Sequence, residues 1–230
     1  MNYLIFDFES TGLNTALDEP LTAFFILADN SFNIIDTLSL TFKPDIPKDK
    51  WNKEAELVHG ITWDQAQKFN DPKDSLDKLI RFIPPKDVCA VCFANYNTVK
   101  VGKLYYGKLY FDFSLLRFAF DRHREYNSWL GVFQKRLSVH TLWKLINKNA
   151  DKKDKKKGAT KAGLLDVCQA LDVKVRTHHD SKDDTYMTYE CLKEIASKYG
   201  DITKYLEPWF SHRHYIDMEV VNYDKLWSEL

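Results

Sequence analysis

An apolar run opens the chain and predicts its central strand. Residues 3–8 are apolar or aromatic except for Asp7, a pattern typical of a strand buried on both faces. Side chains alternate along a strand, so Asp7 and Glu9 point to the same face with Cα atoms roughly 6.6 Å apart. Two carboxylates in one small volume repel each other and are costly to desolvate unless a divalent cation lies between them. The strand end is therefore a candidate metal site, the alternative being acids that merely reach solvent.

The following segments predict the rest of the sheet. Residues 23–28 and 31–42 are rich in strand-forming residues, and Asp29-Asn30 between them is typical of a turn that joins antiparallel strands. Together with the first strand they predict a three-stranded meander. Residues 88–94 predict another buried strand after a helix, and this strand, helix, strand order favours a parallel crossover.

Helix signals follow in the polar and mixed segments. Thr62 with Gln65 fits a capping box and predicts a short helix from Trp63. Asp71-Pro72 predicts the start of a second helix that ends near Phe82, before two prolines. Spaced apolar residues predict helix over 122–149, and again over 161–171.

Composition sets the class of protein. With 230 residues, 44% hydrophobic and 14% aromatic, the chain can bury one substantial core, which favours one domain with a C-terminal elaboration. No apolar run approaches the ~20 residues of a membrane span, and the first residues enter a strand directly, so we expect a cytoplasmic protein without membrane contact. The 33 basic and 33 acidic residues cancel, so any contact with nucleic acid must be local.

The cysteines favour buried thiols. All four fall in apolar contexts, and four in a chain of this length do not indicate a disulfide scaffold. Cys89-x-x-Cys92 has the spacing of half a zinc site. In a strand, however, this separation puts the two thiols on opposite faces, and no second pair follows.

The string FDFESTGLN, which holds Asp7 and Glu9, resembles the first motif of the DEDD superfamily of 3′–5′ exonucleases, D-x-E-T-T-G-L. The resemblance implies that Thr11, Gly12 and Leu13 contact substrate. The later segment LVHGIT resembles the H-G-I-T that lines the approach to the active site in many proofreading-type exonucleases, which implies the same for His59 and Ile61. Thr62 ends this segment, and its predicted role as a helix cap is compatible with a position of the segment at the rim of the active site.

Asp112 matches the second motif of these exonucleases, N-x-x-F-D-x-x-x-L, although Lys108 stands at the asparagine position. By itself this acid could simply favour the start of a helix. A polar, tyrosine-rich segment, residues 95–110, precedes it, so either the loop is enlarged to hold substrate or the motif alignment is locally shifted. Tyr110 and its neighbouring tyrosines either stack on terminal bases, at ~1–3 kcal/mol per base, or pack the loop.

The last motif lies in THHDSKDDTYMTYECL, where His179 and Asp184 have the H-x-x-x-x-D spacing of the histidine subclass, DEDDh. His178 and Asp183 have the same spacing. Helical geometry distinguishes the two, because a mostly apolar stripe follows Asp184 at helical intervals (Met187, Thr188, Cys191, Leu192 and Ile195), whereas the face of Asp183 includes two further acids. The pattern therefore favours Asp184 as the inward-facing acid and a surface role for His178.

The resemblance implies an RNase H-like α/β fold, with a mixed five-stranded sheet flanked by helices on both sides. Residues 1–199 would form the exonuclease domain and residues 200–230 an extension packed on it. Asp7, Glu9, Asp112 and Asp184 would bind two Mg²⁺ or Mn²⁺ ions, and His179 would take a proton from the attacking water. Lys155 and Lys156, in the charged run of residues 151–158, are either a solvated loop or a clamp for phosphates.

The expected reaction is removal of nucleoside 5′-monophosphates from the 3′ end of nucleic acid, with single-stranded DNA favoured. The chain would act alone or beside a polymerase or another replication protein. Two alternatives remain at this point: the same chemistry on RNA, because no motif announces a contact to the 2′-hydroxyl, and a scaffold that has lost activity. Loss of activity normally shows as a substituted carboxylate, and none of the five matching positions is substituted.

Overall fold

The first strand, β1 (Asn2–Ser10), lies inside a six-stranded sheet. A computed structural model describes residues 1–93, 96–101, 104–123, 133–149 and 163–209. The sheet has the order β3-β2-β1-β4-β7-β8. Its other strands are β2 (Pro20–Ala28), β3 (Ile34–Thr41), β4 (Val88–Cys92), β7 (Lys135–Ser138) and β8 (Glu207–Pro208), while β5 (Tyr96–Val101) and β6 (Leu104–Tyr110) form a separate ribbon.

The strand pairing makes the sheet mixed. β1 pairs with β2, and β2 with β3, in antiparallel fashion, which confirms the predicted meander. β1 pairs with β4, and β4 with β7, in parallel, which confirms the predicted crossover. Because β1 has neighbours on both sides, its backbone is fixed by hydrogen bonding along both edges.

Seven α-helices lie within the described residues. They are α1 (Lys53–His59), α2 (Trp63–Ala66), α3 (Pro72–Phe82), α4 (Phe111–His123), α5 (Val139–Asn149), α6 (Leu164–Leu171) and α7 (Ser181–Tyr199), with short 3-10 turns at Lys48–Lys50 and Thr203–Tyr205. The capping box of Thr62 and Gln65 is present at the start of α2. Asp71 caps α3, whose bounds agree with the prediction.

Two apolar cores cover the two faces of the sheet. Alternate residues of β1 divide between them, with Leu4, Phe6 and Phe8 in the core shared with α3 and α4. Tyr3 and Ile5 lie in the core shared with α5, α6 and α7. Asp7 and Glu9 continue this second series, so the alternation directs both carboxylates to the face that carries α7.

The predicted fold class is confirmed, with two corrections to its elements. The sheet has six strands rather than five, because β8 adds a two-residue antiparallel strand to the edge at β7. The prediction of helix throughout residues 122–149 is wrong, because β7 lies within it. Its sequence KRLS is too short and too charged to show strand alternation, and its conformation depends on the backbone of β4 beside it.

The described residues of the predicted C-terminal extension pair with β7 and pack against α4. Trp209 is buried, and its ring lies 5.3 Å from that of Phe113 and 4.7 Å from that of Phe133. Residues 210–230 lie outside the described part of the chain. Among the helices that are described, none is both long and apolar enough to span a membrane.

Candidate active site

The end of β1 and the first turn of α7 bring three carboxylates together. Oxygen atoms of Asp7, Glu9 and Asp184 lie within 4.8 Å of one another. Glu9 and Asp184 are 8% and 4% exposed, so the cluster is largely removed from bulk water. Asp184, and not Asp183, points toward the sheet, as the stripe of residues along α7 predicts. All five residues of that stripe are buried.

Two contacts dock α7 beside β1. The Thr185 hydroxyl donates a hydrogen bond of 3.1 Å to the carbonyl oxygen of Phe24, and the hydroxyls of Ser181 and Thr22 are 3.2 Å apart. Phe24 and Thr22 are the cross-strand partners of Asp7 and Glu9. Asp184 lies between the two docking residues in the sequence, so these contacts fix its carboxylate beside the other two.

Asp112 joins the site from α4. It is buried in the first turn and lines the same cavity as the other three acids. Burial is the main cause that raises the pKa of Asp7, and the charge of Asp112 is the second largest. The structure therefore brings together all four carboxylates that the sequence predicts as metal ligands.

Burial raises the pKa of every acid in this cluster. It raises the pKa of Glu9 to about 8, with the charges of Asp184 and Asp112 adding to the effect. It raises the pKa of Asp112 to about 7, against backbone hydrogen bonds that lower it. Burial also raises the pKa of Asp184, although the hydrogen bond from His178 opposes the rise. Carboxylates that lie this close together repel one another when ionised, and a divalent cation bound between them would offset that repulsion. Because all the ligands are oxygen atoms, the site suits Mg²⁺ or Mn²⁺.

Two histidines lie beside Asp184. The backbone N–H of His179 donates to Oδ2 of Asp184 at 3.0 Å, with His179 in the left-handed region at φ 64°. Nδ1 of His178 lies 2.9 Å from Oδ1 of the same carboxylate, and the two imidazole rings stack with centroids 3.9 Å apart. Burial, reinforced by the neighbouring His178, lowers the pKa of His179, so its imidazole is neutral at neutral pH.

The contact of His178 with Asp184 is missed by the sequence pattern, which favours a surface role for His178. The segment before α7 has no regular periodicity that could direct the ring inward. Only the spacing of six residues between His178 and Asp184, across the start of a helix, could have pointed to it.

The turn after β1 is built around Asp18. The Asp18 carboxylate accepts hydrogen bonds from the backbone N–H of Asn14 at 2.7 Å and from the Thr11 hydroxyl at 3.2 Å. A Cβ atom at Gly12 would lie 2.6 Å from Oδ2 of Asp18, so only glycine fits there. Burial raises the pKa of Asp18 against these hydrogen bonds. The turn presents Leu13 with 77% of its surface exposed.

A cavity of about 680 Å³ opens over the carboxylates. One wall is the turn with Gly12 and Leu13, and another is α1, a helix without buried residues that presents Val58 and His59. Burial lowers the pKa of His59, and its Nδ1 accepts the backbone N–H of Ile61 at 3.0 Å. The lining also includes Phe8, Ser10, Asn52, Glu54, Ala55, Phe93, Phe111, Gly163 and Leu164.

Some predicted substrate contacts lie elsewhere in the structure. Tyr110 is 2% exposed, and its hydroxyl bonds with that of Thr141 at 3.0 Å, so this ring packs in the core and has no face free for a base. The Thr11 hydroxyl accepts the N–H of Glu19 at 2.9 Å within the turn, and Ile61 packs beside Leu21 and Trp51. Neither residue lines the cavity. Lys155 and Lys156 lie outside the described residues.

A family model described as exonuclease, RNase_T, matches residues 4–192. The chain belongs to the RNase_T exonuclease family. Membership in this family confirms the resemblance of the motifs to those of DEDD-type 3′–5′ exonucleases. The matched residues include all four carboxylates and His179.

The chain is similar to several proteins that are named exonuclease I. The exodeoxyribonuclease I of Buchnera aphidicola subsp. Schizaphis graminum is 24% identical over 213 residues, which are 86% of this chain and 40% of that protein. The zinc-bound E. coli ExoI complex with single-stranded DNA superposes with a TM-score of 0.69 at 21% identity, over 89% of this chain and 42% of that one. An ExoI/SSB-Ct complex superposes with a TM-score of 0.68 at 20% identity, over 89% and 43%. These structures establish the shared fold, and this chain spans about two fifths of their length.

Proposed function

We propose that this chain is a metal-dependent 3′–5′ exonuclease that hydrolyses single-stranded DNA from its 3′ end and releases nucleoside 5′-monophosphates. The observation that carries the proposal is the group of Asp7, Glu9 and Asp184, whose oxygen atoms lie within 4.8 Å of one another and of which Glu9 and Asp184 are buried. Family membership and the names of the relatives, which include complexes with single-stranded DNA, support the reaction and the substrate class.

The four carboxylates would hold two divalent ions. Asp7, Glu9 and Asp184 would bind one, and Asp7 with Asp112 would bind the other, with Mg²⁺ or Mn²⁺ suited to these hard oxygen ligands. Bound there, the ions would supply positive charge for the phosphate oxygens and the departing 3′-oxygen, and would acidify the attacking water. The raised pKa values of Glu9 and Asp112 support this assignment, because a bound cation would offset the burial, and the smaller charge repulsion, that raise them.

His179 is suited to receive the proton of the attacking water. Its pKa is lowered, so the imidazole is in the basic form at neutral pH and can accept a proton. The hydrogen bond from its own backbone N–H to Asp184 keeps the residue beside the carboxylates. His179 has a left-handed backbone and lines the same cavity as the carboxylates.

Exposed apolar side chains would receive the terminal nucleotide. Leu13 and Val58 line two walls of the cavity and are 77% and 52% exposed. Apolar contact does not distinguish the four bases, which fits a nuclease that proceeds along any sequence. The proposed contact by Leu13 depends on the turn that Asp18 and Gly12 build.

The deciding experiment uses oligonucleotides labelled at the 5′ end, as matched DNA and RNA in single-stranded and double-stranded form, with Mg²⁺ or Mn²⁺. We expect a ladder that shortens from the 3′ end of single-stranded DNA and disappears with EDTA. Faster cleavage of RNA would transfer the proposal to an exoribonuclease. Cuts within a closed circular single strand would contradict the exonuclease assignment.

A further inference from the structure

A second group of three potential metal ligands, which shares Asp184 with the all-carboxylate group, converges at the start of α7. A ring nitrogen of His178, a ring nitrogen of His179 and a carboxylate oxygen of Asp184 lie within 4.8 Å of one another. Nδ1 of His178 is 2.9 Å from Oδ1 and 3.2 Å from Oδ2 of Asp184. The function proposed above uses His179 and Asp184 but assigns nothing to His178.

We infer that His178, His179 and Asp184 form a binding site for a transition-metal ion of the Zn²⁺ type, and that occupation of this site inhibits the enzyme. The inhibition rests on the proposed function, because it assumes that His179 and Asp184 act in catalysis. The binding does not depend on that function and can be measured without substrate.

The ligand chemistry selects the ion. Two imidazoles with one carboxylate form a set that Zn²⁺ prefers, with bonds of about 2.0–2.2 Å and a fourth position left for water. Mg²⁺ and Mn²⁺ prefer sites made only of oxygen, such as the group of Asp7, Glu9 and Asp184. The structure thus places a nitrogen-rich site and an oxygen-only site side by side, with Asp184 common to both.

The site is accessible and partly organised in advance. Both histidines are exposed at the cavity mouth, where their rings stack with an interplanar angle of 23°. The Asp184 carboxylate is held by the N–H of His179 at 3.0 Å. Rings stacked in this way are nearly parallel, so binding requires them to rotate toward a common point. The 37% exposure of the His178 side chain leaves room for that rotation.

Occupation would remove two groups from the proposed reaction. A ring nitrogen of His179 that binds an ion has no lone pair left to accept a proton from water. An Asp184 oxygen bound to the same ion is withdrawn from the carboxylates of β1. Because His179 is not a ligand of the oxygen-only site, its loss as a proton acceptor would inhibit the reaction even when Mg²⁺ or Mn²⁺ is saturating there.

Direct binding tests the site with Zn²⁺ as the probe. We would titrate Zn²⁺ by calorimetry into the wild type, His178→Ala, His178→Asn and Glu9→Gln. Asparagine can still donate a hydrogen bond to Asp184 but is a poor zinc ligand, so it separates ligation from positioning. Both His178 variants should bind Zn²⁺ at least about tenfold more weakly, the lower end of the loss seen even for outer-shell partners. Glu9→Gln should retain the wild-type affinity, because Glu9 belongs only to the oxygen-only site.

A spectroscopic readout identifies the ligands. Co²⁺ bound by the wild type should give visible absorption bands of a low-coordinate nitrogen and oxygen site, and these bands should disappear in both His178 variants. The inference is overturned if Zn²⁺ affinity and the Co²⁺ spectrum are unchanged in the His178 variants. Weaker Zn²⁺ binding in Glu9→Gln alone would also overturn it, because it would place the ion among the carboxylates.

The inhibition is tested separately with the labelled oligonucleotide. At fixed, saturating Mg²⁺, added Zn²⁺ should inhibit the wild type at lower concentration than either His178 variant, each compared with its own rate without Zn²⁺. Equal inhibition of all three would overturn the inhibitory role. A protein that binds Zn²⁺ through His178 but cleaves no substrate with any ion would refute the proposed function and leave the metal site intact.

Discussion

The guanidinium group of Arg122 donates a hydrogen bond of 2.7 Å from Nη2 to the carbonyl oxygen of Asp18. The same nitrogen lies 3.1 Å from the carbonyl oxygen of Thr15. Arg122 is near the end of α4, whose first turn carries Asp112, whereas Asp18 and Thr15 belong to the turn that presents Gly12 and Leu13. One side chain therefore connects the helix of one proposed metal ligand to the wall that would receive substrate.

Replacing Arg122 with Gln should loosen this turn. Hydrogen bonds to charged groups contribute roughly 1.5–3 kcal/mol, so we expect the free energy of unfolding to fall by about 2 kcal/mol. The KM for a single-stranded oligonucleotide should rise more than kcat falls, because the carboxylates themselves keep their places. Denaturant unfolding and steady-state kinetics measure the two effects. Arg81→Gln, at an exposed position on α3, is the matched control, and an equal loss in both variants would contradict the role of Arg122.

The close approach of Gly12 to Asp18 gives a second prediction. A Cβ atom at position 12 would lie 2.6–2.7 Å from the Asp18 carboxylate oxygens, so Gly12→Ala must displace a side chain that two hydrogen bonds hold. Overpacking of this kind costs about 1–3 kcal/mol. We expect a loss of thermal stability in that range and a raised KM, because Leu13 moves with the turn.

Gly163→Ala is the control for Gly12→Ala. A Cβ atom there would lie 3.7 Å from its nearest neighbour, an oxygen of Asp166, which is an ordinary contact. Gly163 also lines the cavity, so the pair separates steric conflict from mere proximity to the site. If both alanine variants have the Tm of the wild type, a steric conflict between position 12 and Asp18 is contradicted.

The carboxylate cluster predicts how stability depends on pH in metal-free protein. Burial raises the pKa of Glu9 to about 8 and that of Asp112 to about 7, so the folded state binds protons more tightly than the unfolded state. The contribution of these two acids to stability is therefore greatest below their unfolded pKa values, near 4, and falls as pH rises toward 8. We expect the Tm in EDTA to decrease from pH 5 to pH 8. Saturating Mn²⁺ should reduce this decrease, because it binds the ionised carboxylates of the folded state.

Glu9→Gln tests the assignment of that pH dependence. Glutamine cannot ionise, so the variant should lose less stability than the wild type between pH 5 and pH 8 in EDTA. Glu54→Gln, which changes an exposed acid on α1, should follow the wild type at every pH. A Tm that rises with pH in the metal-free wild type would show that the cluster is not strained by its own charge.

Local signals in the sequence account for the elements that could be predicted. The α3 boundaries follow from Asp71 as cap and Pro72 at the first helical position, both of which act within one turn. The orientation of α7 follows from four apolar residues and Thr188, which repeat at helical intervals and are all buried. The strand β1 and its two acids follow from alternation alone, since Leu4 and Ile5 enter opposite cores.

The features that could not be predicted depend on distant parts of the chain. The four residues of β7 pair with β4, more than forty positions away, and have no strand pattern of their own. Tyr110 is the last residue of a polar, tyrosine-rich segment that favours a loop, yet its ring packs against Phe113 and its hydroxyl lies 3.0 Å from that of Thr141. The sequence likewise has no local sign that His178 reaches Asp184, because the irregular segment before α7 determines that contact.

The final prediction concerns which acid and which histidine at the start of α7 are catalytic. Asp184 is 4% exposed beside Asp7 and Glu9, so Asp184→Asn should remove a metal ligand and lower kcat by several orders of magnitude with the fold intact. Loss of one buried charge should also raise the Tm in EDTA. Asp183 instead accepts the backbone N–H of Thr177 at 3.2 Å, so Asp183→Asn should change kcat little.

The histidines complete this test. His179→Ala should lower kcat by ~10²–10⁴, the usual contribution of a general base. The acidic limb of the wild-type pH profile should lie below the ordinary histidine value of about 6.5, because burial and His178 lower the pKa of His179, and the limb should be absent in His179→Ala. We would measure both aspartate variants and His179→Ala on one oligonucleotide at saturating Mn²⁺, with thermal melts beside the rates. If Asp183→Asn is the variant that loses activity, the assignment of Asp184 is wrong by one residue, and a His179→Ala variant with the wild-type rate would contradict the role of His179.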